Sequence, residues 1–324
     1  MKPSYILIAG GAGYIGSHIN QMLNLAGYAT IVYDNLSKGS RSLVQQGLFV
    51  EGDIGDASKL DSLMSQYPIQ AVMHFAAYID VGESVKNPAL YYLNNVSKTL
   101  VLLDAMNRHR IYPLIFSSSA AVYGNPEKDF LYETDPCHPI NPYGHTKLMV
   151  ETILKDYSAA YGLRSCSLRY FNAAGGDPRG RLKYKQKKIS HLIPLLLRSL
   201  ISPDHPVTIY GGDYPTHDGT CIRDYIHLED LGRAHILALE RLLSGGETCC
   251  YNVGNGKGYS VQEVVRAVEA VTGIPATTRM GDRRAGDPPR LVANAEKIER
   301  ELGWSPQYPD IQTMIEHAWK AFNP

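Results

Sequence analysis

The chain opens with a short apolar run that leads directly into a glycine-rich turn. Tyr5–Ala9 has the composition of a buried parallel strand. Gly10, Gly13 and Gly16 follow it with the spacing G-x-x-G-x-x-G, and a helical pattern then runs over Ser17–Ala26. Glycines at these positions allow backbone N–H groups at a helix N-terminus to approach a pyrophosphate. This order predicts a dinucleotide-binding unit, against the alternative of a glycine-rich turn without a ligand.

A second apolar run, Ala29–Tyr33, ends at Asp34, which lies 18 residues after Gly16. An acidic residue near this position binds the ribose 2′-hydroxyl in dinucleotide-binding folds, and its charge would repel a 2′-phosphate. The position of Asp34 therefore favours NAD as the cofactor over NADP. Lys38 and Arg41 lie nearby in the sequence and weaken this preference.

Strand and helix patterns alternate along the first half of the chain. Further strands are predicted at 71–75, 114–116 and 165–170, with helical patterns around 57–66, 88–108 and 142–161. Such alternation predicts an α/β fold with a doubly wound parallel sheet of the Rossmann type. We expect an NAD-binding domain over residues 1–172 and a smaller α+β substrate-binding domain over 173–324. A segment at about 221–250 is expected to return to the cofactor domain.

Tyr143 and Lys147 lie four residues apart in a predicted helix, Pro142–Tyr161, which Gly162 would close. Residues at this spacing share one face of a helix, so the phenol and the ammonium can be neighbours. An ammonium beside a phenol lowers the tyrosine pKa from about 10, which is how a tyrosine becomes a general base. Ser119 follows a predicted strand and could hold a substrate alcohol while Tyr143 takes its proton. The Tyr–Lys spacing alone is more often a solvated helix face, and the three residues together favour catalysis.

The overall charge does not favour a nucleic-acid or membrane partner, because 32 Lys and Arg side chains balance 32 Asp and Glu. Five cysteines, odd in number and without metal-ligand spacing, predict free thiols in a reducing cytoplasm. The eleven histidines form no metal-binding pattern, so no metal is expected. We expect no signal peptide before the first strand, and no apolar run reaches the roughly 20 residues of a membrane span.

Longer sequence strings carry a resemblance to a known family. The strings are Gly10–His18, Val81–Val85, Phe116–Ala120 with Val122–Gly124, Leu168–Asn172, Asp218–Thr220, Arg223–His227 and Gly286–Asp287. Together with Ser119 and the Y-x-x-x-K pair, they resemble the extended short-chain dehydrogenase/reductase family, and within it the UDP-galactose (UDP-glucose) 4-epimerases. The match runs in order over nearly the whole chain.

This resemblance implies an NAD-dependent isomerase that interconverts UDP-glucose and UDP-galactose, with NAD held through both half-reactions. Tyr143 would remove the proton of the sugar 4-hydroxyl while C4 is oxidised. The 4-keto sugar would then turn over and be reduced on its other face. Ser119 would bind the reacting oxygen, and Lys147 would hold the nicotinamide ribose and tune Tyr143. The family precedent also implies a homodimer, packed through the helices predicted at Pro88–Arg108 and Pro142–Tyr161.

The resemblance further implies binding positions, taken motif by motif. Those expected at the cofactor are Gly10, Gly13, Tyr14, Ile15, Gly16, Asp34, Asn35, Asp53, Ile54, Phe75, Ala76, Ala77, Asn95, Tyr143, Lys147 and Tyr170. Those expected at the UDP-sugar are Ser119, Asn172, His191, Tyr210, Arg223, Arg284, Asp287 and Leu291. Because Asn94 precedes Asn95, the alignment of the family asparagine is open by one residue. Tyr210 would either flank the uracil or pack within the smaller domain. One arginine alone could be a surface charge, but two suit a diphosphate, which guanidinium groups bind bidentately.

Four positions depart from the family pattern. Ala121 replaces a threonine, which removes one hydroxyl near the sugar, and Ile79 replaces a lysine of the cofactor loop. His191 stands where many members have asparagine, and it could still donate a hydrogen bond. Leu291 replaces a bulky tyrosine of some members, which predicts room for a 2-acetamido group and hence acceptance of UDP-GlcNAc and UDP-GalNAc.

Several other functions compete with this interpretation. The nearest is another UDP-sugar 4-epimerase of the same fold, acting on a pentose or a uronate. A dehydratase or decarboxylase would need an acidic residue directly after the active serine, where this chain has Ala120 and Ala121. A non-catalytic NAD-sensing module would not need Ser119, Tyr143 and Lys147 together, and a net dehydrogenase would release NADH.

Overall fold

A computed structural model of the chain describes residues 4–183, 191–202, 204 and 206–322. The strands are β1 Tyr5–Ala9, β2 Ala29–Asp34, β3 Leu48–Glu51, β4 Ile69–His74, β5 Pro113–Ser117, β6 Arg164–Tyr170, β7 Asn172–Ala174, β8 Val207–Tyr210, β9 Ile222–His227, β10 Cys249–Val253, β11 Gly258–Ser260, β12 Thr278–Gly281 and β13 Arg290–Leu291. The helices are α1 Tyr14–Leu25, α2 Ala57–Gln66, α3 Val81–Lys86, α4 Pro88–Tyr92, α5 Lys98–Arg108, α6 Pro142–Tyr161, α7 Leu192–Ile201, α8 Leu228–Leu243, α9 Val261–Thr272, α10 Glu296–Leu302 and α11 Ile311–Phe322. None of these helices is long and apolar enough to cross a bilayer.

Seven parallel strands form the largest sheet, in the order β3-β2-β1-β4-β5-β6-β10. Alternate side chains of a strand face opposite sides of the sheet. Ile6 and Ile8 of β1 therefore join the core beneath α1 and α8, while Leu7 joins the core beneath α2, α5 and α6. Because helices cover both faces, a central strand such as β1 reads as a continuous apolar run. This is the predicted doubly wound, Rossmann-type sheet.

A smaller region lies at the carboxyl edge of that sheet. Strands β7, β9, β11 and β13 form a second, mixed sheet, and β8 pairs with β12. Helices α7, α9 and α11 pack here, with Leu196, Val264 and Met314 fully buried among them. Since β7 follows β6 after one residue, the second sheet begins where the first ends. Ligands of doubly wound folds bind at this edge.

The chain crosses between the two regions more than once. After β9, helix α8 packs on the large sheet beside α1, and β10 then pairs in parallel with β6, with Cys249 opposite Cys166. Strands β11 and β13 return to β9 in the second sheet. Residues from the last third of the chain therefore lie beside residues of the first half at the carboxyl edge.

Two helices differ from their predicted form. Helix α1 begins at Tyr14, earlier than its pattern indicates, because Gly16 has no side chain and packs in the first turn against the Gly10 carbonyl oxygen. The stretch predicted as one helix at 88–108 contains a π-helical turn at Leu93–Ser97. Asn95 lies buried in this turn, and such turns often mark functional sites.

Candidate active site

A continuous cleft runs along the carboxyl edge of the large sheet. It consists of three adjoining cavities, which we call the Arg284, Gly13 and Asp34 cavities, with volumes of about 300, 150 and 100 Å³. Ile15 and Tyr170 line both the Arg284 and the Gly13 cavity. Gly10, Gly13 and Phe75 line both the Gly13 and the Asp34 cavity.

The glycine turn forms part of the Gly13 cavity. Gly10 has a positive φ of 82°, and a Cβ there would collide with the backbone nitrogen of Ala76. A Cβ at Gly16 would lie 2.5 Å from the Gly10 carbonyl oxygen, whereas one at Gly13 would meet no protein atom closer than 3.5 Å. Gly10 and Gly16 thus allow close packing, and Gly13 leaves the start of α1 open to the cavity. An open helix N-terminus of this kind fits a pyrophosphate.

Asp34 lines its cavity and also supports the glycine turn. Its Oδ2 accepts a hydrogen bond from the Ala12 nitrogen at 2.9 Å, and its Oδ1 accepts one from the Leu36 nitrogen at 2.8 Å. Burial raises the pKa of Asp34, and these two backbone donors act against it. Each carboxylate oxygen keeps a second lone pair, so Asp34 can still accept a ribose hydroxyl.

Asn35, Asp53 and Ile54 line the same cavity. Asn35 Nδ2 and Lys98 Nζ donate to Asp53 Oδ2 at 2.8 and 2.7 Å, and the Gly55 nitrogen donates to Oδ1 at 2.7 Å. Burial acts to raise the pKa of Asp53, but the hydrogen bonds from Lys98, Gly55 and Asn35 together lower it. The structure therefore brings these three predicted cofactor residues together with Asp34.

Asn95 lines none of the three cavities. Its Oδ1 accepts from the Tyr78 nitrogen at 2.9 Å, and its Nδ2 donates to the Tyr78 carbonyl at 3.0 Å and to Thr146 Oγ1 at 3.2 Å. Asn94 is the neighbour that lines the Asp34 cavity. Asn95 thus fixes the loop after β4, in which Phe75–Ala77 lies along the cleft.

Tyr143 lines the Arg284 cavity with an exposed fraction of 8%. Its helix begins at Pro142 because Asn141 caps it, accepting a hydrogen bond from the Gly144 nitrogen at 2.8 Å. Ser119 lines the same cavity. Burial raises the pKa of Tyr143, and the nearby Ser119 hydroxyl acts in the opposite direction. The predicted base and hydroxyl donor therefore face the same cavity.

Lys147 lies one turn further along α6 and is almost fully buried. Its Nζ donates to the Ser117 carbonyl at 2.6 Å and lies 4.9 Å from the Phe116 ring centre and 5.8 Å from that of Tyr143. Burial lowers the pKa of Lys147 to about 7, against the raising effect of Glu151. The expectation that Lys147 brings the Tyr143 pKa below its usual value is wrong for this arrangement. Burial is the main cause of the raised Tyr143 pKa, and the Lys147 ammonium is directed at a carbonyl oxygen and not at the phenol.

Tyr170 ends β6 at the junction of the Gly13 and Arg284 cavities. Its hydroxyl forms a short hydrogen bond with the Ser117 side chain. Burial, together with the nearby Tyr143, raises the pKa of Tyr170, so it stays a neutral phenol. Ser117 therefore holds Tyr170 through its hydroxyl and Lys147 through its carbonyl.

Two arginines converge on Asp287 at the far end of the Arg284 cavity. Arg284 donates through Nε and Nη2 to the two carboxylate oxygens at 2.8 and 3.1 Å, and Arg223 Nη2 lies 3.8 Å from Asp287 Oδ1. The Arg284 guanidinium carbon lies 5.5 Å from the ring centre of Tyr210, which is 46% exposed. Two guanidinium groups beside an exposed aromatic ring suit a diphosphate attached to a flat base.

Asn172, His191 and Leu291 line the same cavity. Asn172 begins β7, and Leu291 lies in β13 opposite Arg223 of β9. His191 precedes α7, and its ring centre lies 5.7 Å from that of Tyr14. Burial lowers the pKa of His191, so its neutral ring offers one donor and one acceptor.

The other two positions that depart from the family pattern also lie in the cleft. Ile79, which is 43% exposed, lines the Arg284 and Gly13 cavities. Ala121 lines the Arg284 cavity, and its backbone nitrogen donates to Ser119 Oγ at 3.2 Å. Both side chains present apolar surface where a lysine or a threonine would present a polar group.

Sequence reasoning missed two residues that connect parts of the site. Asn141 Nδ2 donates to the Gly286 carbonyl at 3.1 Å, which joins the start of α6 to the segment that carries Arg284. An asparagine directly before a proline is a typical helix cap and could have indicated its importance. Nothing in the sequence distinguishes Ser117 from the other serines of the run at the end of β5. Within the described part of the chain, no group of three His, Cys, Asp or Glu side chains could hold a metal ion.

Known proteins resemble this chain over nearly its whole length. A family model described as the NAD dependent epimerase/dehydratase family matches residues 6–254. The chain is 48% identical to the UDP-glucose 4-epimerase of Halalkalibacterium halodurans, over 97% of the chain and 94% of that protein. It is similar to the crystal structure of UDP-glucose 4-epimerase from Brucella ovis in complex with NAD, with a TM-score of 0.94 and 48% identity over 98% of both chains. A third likeness is the enzyme from Bifidobacterium longum in complex with NAD⁺ and UDP, with a TM-score of 0.93 and 36% identity over 98% of both chains.

Proposed function

Because the chain belongs to the NAD dependent epimerase/dehydratase family, we propose that it is an isomerase that interconverts UDP-glucose and UDP-galactose with NAD as its cofactor. One observation carries this proposal. Tyr143 and Ser119 line the Arg284 cavity, while Lys147, one helical turn from Tyr143, lines the adjoining Gly13 cavity. A sugar whose diphosphate is held by the arginines would thus reach a proton acceptor that lies beside the nicotinamide position.

The residues present fit NAD. The open start of α1 at Gly13 suits the pyrophosphate, and Asp34 with Asn35 suits the adenosine ribose. Lys147 and Tyr170 line the opposite end of the Gly13 cavity, where the nicotinamide ribose would lie. The cofactor bound there supplies reversible hydride chemistry at the sugar C4.

Tyr143 exchanges the proton of the sugar 4-hydroxyl in this proposal. Ser119 lines the same cavity, so one hydroxyl oxygen can accept the proton and the other can hold the reacting oxygen. Burial raises the Tyr143 pKa, so a positive charge is needed before the phenol acts as a base near neutral pH. Lys147, 5.8 Å from the ring centre, is the cation in position to supply it.

The diphosphate end stays fixed while the sugar turns. Asp287 already orients Arg284 for planar, bidentate hydrogen bonds, and Arg223 lies beside it. Ala120, Ala121 and Leu291 line the cavity near Tyr143 and present apolar side chains. Such a wall offers a keto sugar few hydrogen bonds that would oppose its rotation.

The competing reactions lack the residues that they need. Ala120 and Ala121 stand directly after Ser119, so no carboxylic acid lies there to assist loss of water or carbon dioxide. Asp80 lines both the Arg284 and the Gly13 cavity, and its negative charge disfavours the additional carboxylate of a uronate. A sensing module would not require Ser119, Tyr143 and Lys147 together at the cleft. A panel of UDP-hexoses, UDP-N-acetylhexosamines and UDP-pentoses separates the remaining substrates.

Leu291 favours UDP-N-acetylhexosamines as additional substrates. It is 8% exposed in β13 and lines the Arg284 cavity together with Ala121. A tyrosine at this position would extend an aromatic ring into the space that a 2-acetamido group needs. We therefore propose that the cavity accepts both hexoses and N-acetylhexosamines.

We also propose a homodimer formed through the helices at Pro88–Arg108 and Pro142–Tyr161. These helices carry the exposed apolar side chains Leu93, Met149 and Tyr161, and such surface on adjacent helices favours association. Light scattering should give twice the chain mass, and a single-chain mass would contradict the dimer. The five free thiols support a reducing compartment, the cytoplasm.

The central proposal is tested by loading the purified protein with NAD, removing free NAD by desalting, and adding UDP-galactose. We expect UDP-glucose to accumulate to equilibrium over many turnovers while no free NADH appears. Accumulation of NADH together with an oxidised sugar would indicate a net dehydrogenase and overturn the proposal. Binding of NAD without any conversion of the substrate panel would support a sensing module instead.

A further inference from the structure

A buried ion pair lies directly behind the reacting residues. Glu151 of α6 and Arg169 of β6 are each 4% exposed, and Arg169 Nη2 lies 2.6 Å from Glu151 Oε2. Arg169 Nε also donates to Glu151 Oε1 and Oε2 at 3.0 and 3.2 Å. Glu151 follows Lys147 by one helical turn and Tyr143 by two, so the three side chains share one face of α6.

Each partner of this pair holds one side of the turn that carries Ser119. Glu151 Oε1 accepts a hydrogen bond from Ser118 Oγ at 2.5 Å. Arg169 Nη1 donates to the Tyr123 hydroxyl at 3.0 Å, and that hydroxyl donates to Asn252 Oδ1 at 2.7 Å. Ser119 therefore lies between Ser118 and Tyr123, and each of these two residues is hydrogen-bonded to one member of the buried ion pair.

The pair also bears on the charge of Lys147. The titratable groups that face Lys147 are His74 of β4, Tyr143 and Glu151 of α6, and Tyr170 of β6. Burial lowers the His74 pKa to about 3, so that ring is neutral, and burial keeps both phenols protonated. Glu151 is thus the negative charge among these groups, and it opposes the effect of burial on the Lys147 pKa.

We propose that Glu151 and Arg169 are positioning residues for the reaction, which fix the turn that carries Ser119 and give Lys147 its countercharge. This inference rests on the proposed function. Neither residue lines the cleft cavities, so both act through Ser118, Tyr123 and Lys147. A buried pair of this kind is not required for stability in general, because hydrophobic residues of similar volume often replace it at no cost.

The test replaces both charges at once. Glu151→Leu/Arg169→Met avoids an unpaired buried charge, and Glu151→Gln/Arg169→Gln is a second version that keeps polar groups at both positions. Arg300→Met/Glu301→Gln removes both charges of a surface pair on α10, keeps an acceptor for the Tyr251 hydroxyl, and serves as the control. Each protein is assayed for turnover and KM. The phenolate absorbance is titrated with and without an added Tyr143→Phe substitution, so that the difference reports Tyr143 alone.

We expect both double variants to bind NAD and to melt as cooperatively as the parent protein. Their kcat should fall by about 10-fold or more with little change in KM, and the Tyr143 phenolate should form about one pH unit higher. The control should match the parent in every readout. A folded double variant with parental kcat and an unshifted phenolate titration would show that the pair is structural only. The phenolate titration does not depend on turnover. If the parent protein is inactive, the proposed function is overturned, but the titration still measures whether the ion pair acts on Tyr143.

Discussion

One helical turn separates Tyr143 from Lys147, yet the Lys147 ammonium is directed at the Ser117 carbonyl, 2.6 Å away, and not at the phenol oxygen. Its distance to the centre of the Tyr143 ring is 5.8 Å. The two residues therefore interact through charge across a short gap, without a direct hydrogen bond. This separation leaves the phenol free for Ser119 and the substrate.

Tyr143→Phe removes the proton acceptor and little else. The ring keeps its buried position, so we expect the variant to fold and to bind NAD with parental affinity. Turnover should fall by roughly 10²–10⁴-fold, the usual contribution of general acid–base catalysis. Epimerase assays and NAD titrations give the two readouts, and near-parental turnover would remove Tyr143 from the mechanism.

Lys147→Ala should change the pH dependence of the reaction. Burial lowers the Lys147 pKa to about 7, but an ammonium and a phenolate this close stabilise each other, so the base form of Tyr143 depends on the lysine charge. Without the cation the pKa of Tyr143 rises further, and the acidic limb of kcat/KM should move to higher pH by about one unit. Lys59→Ala, which removes an exposed lysine of α2, is the control. An unchanged profile in Lys147→Ala would mean that the lysine acts only as an anchor for the ribose.

Arg284→Ala should weaken substrate binding more than turnover. Hydrogen bonds to charged groups contribute about 1.5–3 kcal/mol, which corresponds to a rise in KM of about 10- to 100-fold. Arg283→Ala is a matched control, because that arginine is paired with Asp213 and packs on Tyr214. Equal effects of the two substitutions on KM would contradict a specific role for Arg284 at the diphosphate.

Leu291→Tyr should narrow the range of substrates. The tyrosine ring would fill the space beside Ala121, so we expect UDP-GlcNAc turnover to be lost while UDP-galactose turnover stays within about 10-fold of the parent protein. Rates on both substrates in both proteins provide the measurement. Absence of UDP-GlcNAc turnover in the parent protein would contradict the proposed breadth of the cavity.

Much of the fold could be predicted from local signals. Strand β1 and helices α2 and α6 have the predicted bounds, because apolar runs, the Asn141 cap and Gly162 define them within a few residues of sequence. Strand β3 gave no such signal, since Leu48–Glu51 is only four residues long and none of its side chains is buried. The pairing of β10 with β6 depends on contacts between strands that are distant in the sequence.

Some residues of the candidate site could likewise be predicted from local spacing, and others could not. Gly13, Tyr143 and Lys147 could be found from spacing, because each lies in one turn or one helix. The convergence of Arg223 and Arg284 on Asp287 was implied only by resemblance, since strand β9 and the segment before β13, which are distant in the sequence, bring these residues together. Spacing also could not show that burial dominates the pKa of Tyr143, because burial depends on the whole fold.

Tracing the hydrogen at C4 provides the most direct test of this mechanism. UDP-galactose that carries deuterium at C4 is incubated with the NAD-loaded protein, and the product is analysed by mass spectrometry and NMR. If hydride leaves C4 and returns to it within one active site, UDP-glucose should retain the deuterium at C4 through many turnovers. Loss of the deuterium to solvent, or its appearance in free NADH, would contradict the reaction that we assign to this cleft.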